Sequence, residues 1–215
     1  MVGNKILILG AVVIVILAVA LLMVGGQKRE EVVQIPSQQQ QQPEVDYNLK
    51  SVSVEKQDGK LSSLFEALGV VPQNNEQGAL GYGLILENQD NAILVSTTHA
   101  GVKDSALQKD ENDPVWHNHV VVLGSDESCG DSPAVKDITF GSPGEIRVEN
   151  NKVIVKNVPS QVEDVHSLTN KPLSFNLGDK VKSAVQFRLE PKFDDGQLEA
   201  VCVTDIKEVP FEVRE

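Results

Sequence analysis

Nineteen consecutive residues without a charge, Ile6 to Val24 (ILILGAVVIVILAVALLMV), constrain this chain more than any other feature. At a helical rise of about 1.5 Å per residue the run spans roughly 28 Å, close to the hydrocarbon thickness of a bilayer. A helix of a soluble domain needs only one apolar face, not apolarity all round. The sequence therefore predicts a membrane-inserted helix over residues 6–24 that contacts the lipid bilayer directly. Three fates are open to it: a cleaved signal peptide, an uncleaved anchor, or a pilin-type assembly helix. A small-x-small triplet is present at Ala18-Val19-Ala20, but Leu21 to Val24 carry the apolar run past it, whereas a cleavable signal ends in a polar cleavage region. A pilin would continue as a long helix into its head, and here Gly25-Gly26 interrupts. The uncleaved single-pass anchor is the favoured reading.

Flanking charge does not orient this anchor. Lys5 and the α-amino group lie on one side, Lys28 and Arg29 on the other, so the positive-inside rule gives a tie. An acidic head domain and a cysteine pair able to form a disulfide favour an extracytoplasmic head.

The expected organisation is a short tail (1–5), the anchor (6–24), a linker (25–46) and a head (47–215). The linker contains Pro36, Ser37, five glutamines from Gln38 to Gln42, and Pro43. Such a segment buries too little apolar surface to offset its ordering entropy. Twenty residues of flexible coil reach about 25 Å, enough to tether a head off the bilayer.

From Asp46 onward the chain carries 28 acidic and 16 basic groups, so this part alone holds the whole formal charge of -12. That balance argues against a nucleic-acid partner, which needs a basic footprint, and against a head lying on anionic lipid. Periodicity in the head is mostly two. Ser51 to Glu55 alternates; Tyr82–Leu86 and Ala92–Thr98 are apolar runs split by a turn cluster; Val115–Leu123 is rich in β-branched residues. Glu145–Glu149 and Lys152–Lys156 alternate about Asn150-Asn151, a hairpin signal because asparagine tolerates positive φ. Val181–Leu189 and Leu198–Ile206 form a second pair across Asp194-Asp195-Gly196. Short helices fit Leu61–Leu68 and Gln161–Leu168. The predicted class is all-β, an antiparallel sandwich or a barrel.

Three of four histidines fall within 21 residues: His99, His117 and His119. His117 and His119 form an H-x-H within a predicted strand, so both rings project from one face while Trp116, Asn118 and Val120 take the other. Two imidazoles so placed reach one metal ion at about 2.0–2.1 Å, and His99 closes the preceding run where a neighbouring strand can bring it near. Three histidines and a water make an open zinc site, and imidazole also suits copper. The competing reading leaves all three as surface histidines of a strand. Asp104 and Asp113 are nearby carboxylates that would ligate or orient a ring; alternatively Asp104 caps a short turn over Lys103–Lys109 and Asp113 initiates a turn before Pro114. His166 reads as a surface residue. Trp116, the only tryptophan, is expected in the core, leaving the histidine face toward solvent or a cleft.

Cys129 and Cys202 are the only thiols, and outside the cytosol they are expected to pair. The acidic loop Asp126, Glu127, Asp131 lacks calcium-loop spacing. Gly78 to Gly83 lacks a phosphate-loop fingerprint, no G-x-S-x-G elbow occurs, and no carboxylate pair can be singled out for glycoside hydrolysis. Two functions remain in view. One is a membrane-tethered extracytoplasmic β-domain that binds a protein or cell-surface partner. The other is a membrane-anchored metalloprotein with a copper or zinc site at His99, His117 and His119, with open coordination for catalysis.

Overall fold

The computed structural model describes residues 46–178 and 180–214. The chain divides into two units, Met1–Gln41 and Gln42–Glu215, and the described residues all fall in the second. The expected anchor over 6–24, and all but the last residue of the expected linker, lie outside them. No helix of the described residues is long and apolar enough to cross a membrane.

The second unit is all-β. Six strands close a barrel in the order β11 (Val181–Asp194), β12 (Gln197–Val209), β6 (Ala134–Ile138), β5 (His117–Gly124), β4 (Ile93–Thr98) and β3 (Leu80–Leu86). Every neighbouring pair in it is antiparallel. A second sheet has the order β13 (Phe211–Arg214), β1 (Leu49–Gln57), β2 (Lys60–Ala67), β8 (Lys152–Pro159), β7 (Glu145–Glu149). β9 (Gln161–Val165) and β10 (Pro172–Asn176) form a separate two-stranded ribbon. Of the two expected architectures, the barrel is present. The expectation of a purely antiparallel fold is corrected at one place: β13 runs parallel to β1, pairing Val52 with Phe211.

Alternation along each barrel strand creates two cores. Outward residues Leu80, Tyr82, Leu84 and Leu94 pack with Val52, Val54 and Phe65 of the second sheet. Inward residues Val95, Val121, Val185, Phe187 and Val203 form a separate cluster inside the barrel. A strand buried on both faces reads as a continuous apolar run, as β3 and β4 do. Gly81 is required at its position: a Cβ there would lie 2.6 Å from the Phe187 ring and from the Ser96 carbonyl oxygen. Trp116 is in the larger core as expected, 4% exposed, stacked at 5.5 Å on Tyr82 and donating from Nε1 to the Pro72 carbonyl at 2.8 Å.

Both hairpin signals hold. Asn150 turns β7 into β8 at φ 53°, and Asp195-Gly196 turns β11 into β12 at φ 46° and 78°. The two expected helices are strands. Leu61–Leu68 lies largely in β2, which pairs with β1 from Lys60↔Gln57 to Leu49↔Ala67. The turn between them, Asp58-Gly59, has positive φ at both residues, a hairpin geometry that overrides the helical spacing of Leu61, Leu64 and Leu68. Gln161–Leu168 is β9 followed by a turn, because β10 pairs along all of β9.

Both cores, the disulfide described below and the histidine cluster lie within Gln42–Glu215. A unit with its own hydrophobic cores and covalent closure has the attributes of an independently folding domain.

Candidate metal centre

The antiparallel register of β4 and β5 places Thr97 opposite His117 and Val95 opposite His119. His99 follows β4 in phase with Val95 and Thr97, so all three imidazoles meet at one end of the barrel. His117 and His119 are 0% and 1% exposed and His99 is 6% exposed. The reading of these residues as surface histidines is thereby overturned. The face opposite Trp116 does not look to solvent; it looks into a closed barrel, and closure depends on strands β11 and β12, far away in sequence.

A fourth group joins them. Asp104 is also buried, and its carboxylate stands 3.2 Å from His99 Nε2, 3.3 Å from His117 Nε2 and 3.5 Å from His119 Nε2. His99 Nε2 and His117 Nε2 are 3.2 Å apart. Asp104 does not cap a helical turn; Lys103–Lys109 is irregular. What holds it is Gln108, 2% exposed, whose Oε1 accepts from the Asp104 and Ser105 backbone N–H groups at 3.0 and 3.1 Å. The Gln108 amide nitrogen donates to the carbonyls of Val102 and Asp113 at 3.2 and 3.3 Å. Sequence reasoning missed Gln108, since nothing about a glutamine in a polar loop marks it as buried. Asp113 stays outside the cluster as a turn residue, its carboxylate accepting from the N–H groups of Lys109 and Val115.

The protonation pattern is decisive. His117 Nδ1 lies 2.7 Å from the Val115 carbonyl oxygen, and His119 Nδ1 lies 2.6 Å from that of Thr139. A carbonyl only accepts, so both Nδ1 atoms carry the proton, and in the neutral rings both Nε2 atoms are lone pairs. Burial lowers the pKa of His117 and keeps its ring neutral. Burial works to raise the pKa of Asp104, but His117, His119 and His99 outweigh it and hold the carboxyl well below the usual carboxylate range. Thus two imidazole lone pairs and a carboxylate face one another, with His99 Nε2 beside them. His119 Nε2 and Asp104 Oδ1 are buried without a hydrogen-bond partner. Buried acceptors in this arrangement repel each other unless a cation lies among them.

The spacing fits one. Ligand atoms bonded at about 2.0–2.1 Å to a tetrahedral ion are about 3.3–3.4 Å apart; His99 Nε2 to His117 Nε2, and each ring's Nε2 to one of the two Asp104 oxygens, stand 3.2 to 3.5 Å apart. The four ligand atoms all lie within 4.8 Å of one another. His99, Asp104, His117 and His119 can hold a metal ion. The carbonyls behind His117 and His119 are the outer contacts that fix ring orientation at metal centres.

The remaining sequence candidates fall elsewhere. Cys129 and Cys202 are joined in a disulfide, with Cα atoms 5.4 Å apart, so neither thiol is a ligand. Asp126 caps its own turn, accepting from the Ser128 N–H and hydroxyl, and pairs with Lys136. His166 bridges to the Lys136 carbonyl at 3.2 Å, half-buried rather than fully on the surface. No protein-family model matches the chain, and no curated protein or solved structure is significantly similar to it.

Proposed function

We propose that this chain is a membrane-tethered extracytoplasmic metalloprotein whose barrel holds a zinc ion through His99, Asp104, His117 and His119. The observation that carries the reading is the convergence of four buried ligand atoms within 4.8 Å of one another, with His119 Nε2 and Asp104 Oδ1 lacking any hydrogen-bond partner. Three imidazole nitrogens and one carboxylate oxygen are a donor set that zinc takes; copper is the other metal the histidines suggest. The tether rests on the apolar run over residues 6–24, and the location of the head on the disulfide, which persists in oxidising compartments. A bound zinc supplies Lewis acidity. The chain's own part is to orient three rings and to keep Asp104 ionised beside them.

Calorimetric titration of zinc into the metal-stripped Gln42–Glu215 unit tests this. One ion per chain is expected, with affinity at least a hundredfold weaker in His117→Ala/His119→Ala. Asp104→Asn, nearly isosteric, serves as the variant least disturbing to the fold and should weaken zinc at least tenfold. Unchanged affinity in both variants would refute the site.

A further inference from the structure

The barrel also encloses a cavity of about 380 Å³, within the range of about 300–1,000 Å³ typical of small-molecule sites. Its walls are apolar, with Val95, Val121, Val185, Phe187 and Val203 among them. Cores of natural domains are normally filled by side chains to crystal-like density. Here four of these five wall residues are short valines, and β3 contributes Gly81 and Gly83 on its inward face, which leaves a continuous space along the barrel. The cavity is not symmetrical in polarity. At one end it is lined by His99, Asp104 and His119, while His117, fully buried, stands behind them.

Three ligands of the metal centre therefore front an apolar space. Four protein donors complete a tetrahedral shell, so a ligand from the cavity would join as a fifth donor on the side where His99, Asp104 and His119 line the space, an expansion that zinc accommodates. The space also has a route out. Leu168 and Ile206 line the cavity and are also 55% and 47% exposed. Lys136, His166 and Glu199 share this lining. Exposed apolar residues bordered by polar ones are the kind of patch that marks a ligand-binding groove.

Resting on the zinc reading above, the geometry points to a ligand class: an elongated apolar monocarboxylate, its tail along the valine wall and its carboxylate at the ion. The ion's two positive charges less that of Asp104 leave one net positive charge at the cavity floor, which favours a carboxylate head over a neutral alcohol.

The test titrates decanoate into the zinc-loaded Gln42–Glu215 unit, with acetate as the tail-less control and the zinc-free protein as the head-group control. Decanoate is expected to bind at least a hundredfold more tightly than acetate, and at least tenfold more tightly with zinc than without it. Leu123→Trp, which fills the cavity wall four residues beyond His119, should weaken decanoate at least tenfold while keeping one zinc per chain. Val135→Phe is a second filler should the first not fold. Decanoate that fails to bind the zinc-loaded protein, or that binds both fillers as it binds the parent, overturns the proposal. Decanoate bound equally with and without zinc overturns the head-group assignment. Absence of zinc binding in the preceding titration is a separate failure, belonging to the metal reading.

Discussion

Asp104 meets three imidazoles because Gln108 pins the loop that carries it. The Gln108 side chain bridges both flanks of that loop, from Val102 to Asp113. Contacts of this outer kind are worth about 10- to 100-fold in metal affinity. Gln108→Ala is therefore expected to weaken zinc at least tenfold without touching a ligand atom, and Gln108→Glu, which keeps the acceptor, should recover part of the loss; calorimetry reads both. Protonation gives a second residue-scale prediction. The folded pKa of His117 is lowered from an unfolded value of about 6.5. Between those two values the unfolded chain binds a proton that the fold refuses, so stability of the metal-free protein falls as pH drops below about 6.5. Chemical denaturation between pH 7.5 and 5.5 should show that fall, and His117→Gln should flatten it. The pairing of His117 with His119 was legible in the sequence because an i, i+2 spacing on a strand is a local rule. The arrival of Asp104 was not, because an irregular loop obeys no period.

At the scale of elements, turn chemistry was the readable signal. Asn150 and Asp195-Gly196 announced their hairpins, and Asp58-Gly59 announces a third that outweighs the helical spacing within β2. The seam between β6 and β12 was not readable, since one register pair leaves no trace in either strand's pattern. That seam is reinforced by the hydrogen bond from the Val203 N–H to the Pro133 carbonyl at 2.8 Å and by the Cys129–Cys202 disulfide, whose Cys202 is the residue paired across it. A covalent closure over 73 residues stabilises by roughly 4 kcal/mol on the chain-entropy model. Replacing both cysteines with serine is expected to cost about that much in denaturant unfolding. It should also raise hydrogen exchange in β6 and β12 more than in β1 and β2. A loss below about 1 kcal/mol would show that the seam holds without its covalent link.

For the whole molecule, the all-β class and the barrel alternative followed from period-two patterning, but the lumen did not. Whether a strand's inward face meets solvent or another wall is decided by β11 and β12 closing against β3 and β6. For the same reason the histidines, expected toward solvent or a cleft, are buried. One architecture thus gives a packed outer layer, an apolar interior and a polar end where four ligand atoms meet. X-ray absorption at the zinc edge of the zinc-loaded Gln42–Glu215 unit tests that arrangement most directly. The account predicts about four nitrogen or oxygen scatterers at about 2.0–2.1 Å, with the outer-shell pattern of three imidazoles that loses two rings in His117→Ala/His119→Ala. A shell of oxygens alone, or an imidazole pattern unchanged in that variant, would contradict it.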